Sequence, residues 1–258
     1  MARFWLKDAS NRLRKINPSM RIQQQRGFTL LEIVILVLIV GVLVAAVLKG
    51  QEMITSAKVK RVARQLDEIR AAYFGFEDRY RALPGDYAQA DVHLYCGGAC
   101  PKGNGDSRIR EIETPLAGSE VREDILVWTH LSSAGFLKGD YRMLAGSTVS
   151  DQRNTPHNPY SALAQLAFDG RYGPADGGVP HHNLKTGPQL PVEVVAELDR
   201  KIDDGKPYDG MLQFSTFAAN GAAAPQEGEV TACTAAIDPA APWNLASASP
   251  NCGAALLL

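Results

Sequence analysis

The sequence predicts an α+β protein: a long N-terminal α-helix, membrane-spanning in its first half, packed on a mixed α/β head with an antiparallel sheet. Three observations carry this expectation. Phe28–Leu48 is a 21-residue apolar run with a single charge, Glu32. A stripe of apolar residues spaced alternately by three and four follows it as far as Tyr80. Beyond that point short apolar stretches alternate with loops rich in Gly, Pro and Asp.

Composition and charge narrow the class. With 258 residues, 45% apolar and 21% charged, the chain is neither disordered nor a multispan membrane protein. The net charge of −1 averages two unlike parts. Residues 1–27 carry seven Lys/Arg against Asp8, whereas residues 28–258 carry 20 basic and 27 acidic groups. So acidic a body is a poor general nucleic-acid binder, because such binding comes mostly from neutralising phosphates.

The apolar run comes first. As an α-helix, 21 residues extend roughly 30 Å, the hydrocarbon thickness of a bilayer. The basic flank before it keeps the start cytoplasmic and sends the rest across. Glu32 is the exception, since a carboxylate in an apolar span costs about 2.5–3.5 kcal/mol at mid-membrane and less near an end. Either it snorkels to the head groups or it awaits a cationic partner. A cleaved signal peptide, cut after Ala46, is the competing account of the whole segment. The length of the run, the acid within it and the pattern that follows all weigh against it.

That pattern is Val59, Val62, Leu66, Ile69, Tyr73, Phe76 and Tyr80, a heptad stripe with charged residues on the other faces. Leu83-Pro84-Gly85-Asp86 stops the helix. A continuous helix over residues 28–80 would run about 80 Å. Its first half, 28–48, suits lipid or neighbouring apolar helices, and its second half suits a groove in the head at 81–258.

At these residues the chain resembles the type IV pilins and type II secretion pseudopilins. Arg26-Gly27-Phe28-Thr29-Leu30-Leu31-Glu32 matches the prepilin cleavage and methylation motif position by position. The resemblance implies a leader at 1–27, cut after Gly27 by a prepilin peptidase that then methylates the amine of Phe28. It further implies that Phe28 and Glu32 direct filament assembly, the amine of an incoming subunit neutralising the Glu32 of its predecessor. A buried charge is expensive alone and much less so when paired. Such head-to-tail contacts do not close on themselves and so build a helical filament. The implied partners are the peptidase, other pilin or pseudopilin subunits and the inner-membrane assembly platform. The implied location is the bacterial inner membrane, single-pass, with a cytoplasmic N-terminus and a periplasmic head. Two features depart from the family pattern. The leader is long, although Met20 would begin a short one, and Lys49 stands where many pilins have a helix-breaking proline. The resemblance covers residues 20–60 closely and is a matter of pattern beyond.

In the head, Ser119–Ala134 reads as a helix with Ser119 as N-cap and Gly135 as terminator. Val192–Asp203 reads as another, with Pro191 in its first turn and Gly205 at its end. Arg142–Val149, Leu163–Phe168, Met211–Ala218, Gly228–Ala235 and Ala254–Leu258 read as strands, and 84–118, 150–160, 170–190 and 236–252 as loops. Leu83–Asp86, Gly103-Asn104-Gly105-Asp106 and Trp128-Thr129-His130-Leu131 with Ala134-Gly135 resemble a subgroup of large prepilin-like proteins. The size of this head favours a minor filament component over a bulk one.

Four cysteines, Cys96, Cys100, Cys233 and Cys252, allow three pairings. On an exported head they are expected to oxidise as Cys96–Cys100 and Cys233–Cys252. Gly97 and Gly98 permit the first tight loop, and the second resembles the C-terminal disulfide loop of pilins. A zinc site using His93 or His181-His182 is the alternative, but no spacing is that of a zinc finger. Asp203, Asp204 and Asp209 lie in one turn-rich loop and form a candidate calcium site, set against the plainer reading of a solvated turn. Asn104 and Asp106 are a weaker pair. No cofactor is required. No nucleotide-binding, zinc-protease or nucleophile-elbow motif occurs, so an enzyme is not expected. The expected function is that of a filament subunit, in a pilus or a secretion pseudopilus. A pilin-anchored adhesive or ligand-binding head is the alternative.

Overall fold

The computed structural model describes residues 28–110, 122–142, 149–172, 179–219 and 227–258. The leader with Gly27, the predicted cap Ser119 and most of the predicted strand Arg142–Val149 lie outside the described residues. Among the described residues ten elements follow in order: α1 (Leu30–Tyr80), α2 (Ala90–His93), α3 (Glu123–Ser133), β1 (Gln165–Asp169), β2 (His181–Lys185), α4 (Val192–Ile202), β3 (Leu212–Phe214), α5 (Glu227–Cys233), a 3₁₀ turn (Leu245–Ser247) and β4 (Ala254–Leu257). The chain forms two compact units, one ending at Gly50 and one running Gln51–Leu258.

In the first unit every described side chain from Phe28 to Lys49 is exposed. This part of α1 is long and apolar enough to cross a membrane. Thr29 starts the helix, its Oγ1 accepting a hydrogen bond from the Glu32 N–H at 3.2 Å. That satisfies one of the donors every helix N-terminus leaves open.

In the second unit the stripe of α1 is buried at Val59, Val62, Leu66, Ile69, Tyr73 and Phe76, with Ala72 between them. It shares one apolar core with the sheet. The sheet is antiparallel throughout, in the order β1-β2-β4-β3. Its register aligns Leu166, Leu184, Leu256 and Leu212 across all four strands, and this leucine row belongs to the core. The neighbouring row on the opposite face is Gln165, Lys185, Ala255 and Gln213. Alternation along each strand therefore separates an apolar face from a polar one.

Several elements differ from the sequence reading. Gly228–Ala235 is not a strand, because Glu227–Cys233 is the helix α5. Val230, Cys233 and Thr234 fall at helical spacing, and Thr234 Oγ1 bonds back to the carbonyl of Val230. The expected loop 170–190 contains β2, which is central in the sheet. The expected loop 84–118 contains the single turn α2. α3 begins at Glu123 after an extended Arg122 and ends where expected, at Gly135. The stop is a Schellman arrangement, with Phe136 N–H bonding the carbonyl of Leu131 and Gly135 N–H that of Ser132. Pro191 caps α4 rather than entering its first turn.

Candidate functional site

Three regions of the molecule carry chemistry that the core does not need. The first is the start of α1. Phe28 is 74% exposed, and Leu30 to Leu48 present their side chains outward with it. Glu32 stands in the first helical turn, where its charge complements the positive end of the helix dipole.

The second is a knot of loops at the end of α1, built from segments far apart in sequence. Asp86 folds residues 105–107 around itself: Oδ1 accepts from the N–H groups of Gly105 and Asp106 at 2.6 and 3.1 Å, and Oδ2 from Ser107 at 2.7 Å. Glu123, the first residue of α3, accepts from Asn104 at 3.1 Å and Arg110 at 3.2 Å. His130 ties the third strand of the knot. Its Nδ1 accepts from Gly85 N–H at 2.9 Å, so its Nε2–H donates to the Pro101 carbonyl at 2.8 Å. The ring also lies parallel to Phe76 of α1, 6.2 Å between centroids. Two glycines are dictated by contact: a Cβ on Gly85 would stand 2.6 Å from the Glu123 carbonyl, and one on Gly103 only 2.3 Å from the Cα of Asp86.

Burial sets the ionisation here. It pushes Glu123 up to about 7 despite two N–H donors that act the other way, and it raises Asp86 as well. It pushes His130 down to about 4, so the ring is neutral, as its two hydrogen bonds require. Asp86, Asp106 and Glu123 bring carboxylate oxygens within 4.8 Å of one another. However, the oxygens of Asp86 and Glu123 are already engaged by backbone N–H groups, so the knot holds together through protein groups. The motif residues Leu83–Asp86, Gly103–Asp106 and Trp128–Leu131 thus converge as one structural device. Beside it lies a cavity of about 570 Å³ lined by Tyr73, Tyr80, Tyr87, Glu77, Gln89 and His182 among others.

The third region is a groove of about 660 Å³ between α1 and the loop at His157–Pro159. Lys58, Lys60, Arg61 and Arg64 line it, with Glu68 as the sole acid among the described residues. Lys58 Nζ lies 4.2 Å from the centre of the Tyr160 ring, and Gln65 Nε2 donates to the His157 carbonyl at 3.0 Å. The helical spacings 58/61, 61/64 and 60/64 set like charges side by side. Each such pair costs about 0.2–0.5 kcal/mol of helix stability.

The cysteines pair as Cys96–Cys100 and Cys233–Cys252. The second joins α5 to the segment entering β4, where Cys252 also bridges Leu190. Near it, Asp203 and Asp204 approach Asp199 within ligand distance, while Asp209 stands with Lys206. Sequence spacing pointed to Asp209; Asp199 was hidden because it lies on the buried side of α4, bonded through Oδ2 to Trp243 Nε1 at 2.7 Å. Burial pushes Asp199 up to about 6. Each carboxylate of this turn has a donor: Asp203 accepts from the Met211 and Leu212 N–H groups, and Asp204 pairs with Lys206 at 3.3 Å. His93 and His181-His182 lie outside both carboxylate groups, and all four cysteines are in disulfides. No protein family matches the chain, and no curated protein or solved structure is significantly similar to it.

Proposed function

We propose that the protein is a subunit of a type IV filament, a pilus or a secretion pseudopilus, cut between Gly27 and Phe28 and assembled through its N-terminal helix. The observation that carries this reading is the apolar surface of Phe28–Leu48, wholly exposed, with one carboxylate at the fifth position counted from the expected new terminus Phe28. Isolated apolar patches on soluble monomers are far smaller than such a surface, so it calls for lipid or for other apolar helices. Cleavage would place the Phe28 amine, a cation, in the same layer as Glu32. Between neighbouring subunits the two neutralise each other and set axial register. The buried stripe from Val59 to Phe76 supports the same reading, since it leaves the second half of α1 to hold the head. The implied partners are the peptidase, neighbouring subunits and the assembly platform, and the large head favours a minor component.

The test is the mass of the N-terminal peptide of protein purified from native membranes. A chain beginning at N-methylated Phe28 is expected. A chain beginning at Val47 would indicate an ordinary signal peptide and overturn the filament reading. A second reading gives the head a binding role, favoured by the tyrosine-lined cavity next to the loop knot. Its mark would be normal assembly with lost surface attachment when Tyr80 and Gln89 are replaced.

A further inference from the structure

We propose that the cationic groove of Lys58, Lys60, Arg61 and Arg64 is a docking surface for the acidic head of a second copy of this chain. The inference rests on the filament reading and names a contact within it. Three observations lead there. First, the four cations converge on one concave surface of the Gln51–Leu258 unit, and among the described residues none has a carboxylate within ion-pair distance. Several other cations of the head do have one: Lys102, Arg122, Arg142, Lys185, Lys201 and Lys206 each stand beside a carboxylate. Second, the charge is segregated along the chain. Residues 49–64 hold five Lys/Arg against Glu52, whereas residues 65–258 hold 15 basic and 25 acidic groups. The charge that complements the groove is therefore carried by the chain itself, beyond residue 64. Third, the groove is walled on one side by the His157–Pro159 loop, which is fixed to α1 through Gln65, so its shape is set before any partner arrives.

An acidic head approaching this groove gains attraction and register from charges already clustered on the helix, and like-charged approaches are rejected. The occupant is a protein surface rather than a lipid one because the compensating charge is in the sequence, ten carboxylates in excess beyond residue 64. Two adjacent copies suffice, so the contact is compatible with a minor subunit.

The experiment uses full-length chains carrying two different affinity tags, co-expressed in their native host and treated in membranes with a zero-length carbodiimide. This reagent joins an amine to a carboxylate only at ion-pair distance. The expected product contains both tags, and peptide mass spectrometry joins Lys58 or Lys60 to an Asp or Glu within residues 65–258. Arg61→Gln with Arg64→Gln keeps both reactive amines, so it should lower the yield several-fold only by weakening docking. Both arginines are exposed, and an unchanged urea unfolding midpoint checks the fold. A yield that the arginine changes do not alter would overturn the proposal. So would adducts confined to other proteins, or arginine-dependent capture by phosphatidylglycerol vesicles without an inter-copy adduct. The N-terminal peptide is read from the same sample. Methylated Phe28 without the adduct removes this inference alone, the adduct without processing removes the filament reading alone, and absence of both removes both.

Discussion

Gly135 and Gly85 both hold a left-handed backbone, with φ +81° and +88°, yet their surroundings differ. Nothing stands within 4 Å of where a Cβ would lie on Gly135, whereas Gly85 is pressed against the Glu123 carbonyl. Gly135→Ala should therefore cost about 1 kcal/mol, the conformational penalty alone. Gly85→Ala should cost clearly more and disturb the loop knot, and urea unfolding of the two variants checks the order. The buried titratable groups of the head, in the knot and outside it, also give stability a composite pH dependence. His130 and His182 are pushed down to about 4 from 6.5, so their contribution is complete above pH 6.5 and is lost as pH falls toward 4. Glu123 at about 7 and Asp199 at about 6 lie above their unfolded values of 4.5 and 3.8. Their contribution is present at low pH and lost as pH rises through 6 and 7. Between pH 6.5 and 4.5 the two sets oppose each other. His130→Gln should then lose less stability on acidification than the parent, and Glu123→Gln more, whatever their stability at neutral pH. Denaturation across that range reads the slopes. Gly135 was legible as a helix stop because termination is local. The joining of Asp86 to residues 105–107 and of His130 to Gly85 was not, because only the folded chain brings them together.

At the scale of elements, the stripe on α1 was readable because a heptad repeat states its own period, and Val59 through Phe76 are buried as that period requires. Strand β2 was not. Its sequence, His181-His182-Asn183-Leu184-Lys185, has one strong apolar residue, and its polar face is covered instead of solvated. Lys185 is only 2% exposed there, its Nζ donating to Gln165 Oε1 and Asp169 Oδ2, each at 2.7 Å. Gln165 passes the network on to Asp124, which Arg122 grips from the other side. A polar central strand is tolerated because its groups are paired, and removing one partner strands the others. Lys185→Met should accordingly destabilise the head by about 3 kcal/mol. Adding Asp169→Leu should recover part of that loss, since two apolar groups leave fewer orphaned charges. A double-mutant cycle in urea measures both effects. Helix α5 was misread for a related reason: a short stretch with few apolar residues fits either period, and the Cys233–Cys252 bond and Thr234 decide it only in three dimensions.

At the scale of the whole molecule, the division at Gly50 separates two solvation problems. The unit from Gln51 onward encloses its own core and sheet and carries both disulfides, so its stability is internal. Among the described residues before it, Phe28–Lys49 keep their side chains exposed, and the apolar ones form a helix long enough to cross a membrane, so on the proposed reading their free energy is settled by lipid or by neighbouring helices. Glu32 belongs entirely to this second problem. It is exposed, and among the described residues its backbone N–H bonds to Thr29, one turn away. Replacing it should therefore leave the head within about 0.5 kcal/mol of its original stability, as for other surface changes remote from special contacts. In an apolar assembly the balance differs, because the amine of Phe28 would lose its counter-charge in a medium that penalises an unpaired ion by several kcal/mol. Glu32→Ala should thus yield a processed, membrane-inserted chain whose urea unfolding matches the parent but which enters filaments many-fold less. Glu32→Asp, with the charge kept on a shorter arm, should restore part of that assembly. If Glu32→Ala filled sheared filaments as well as the parent, charge neutralisation at this layer would not be what sets the axial register.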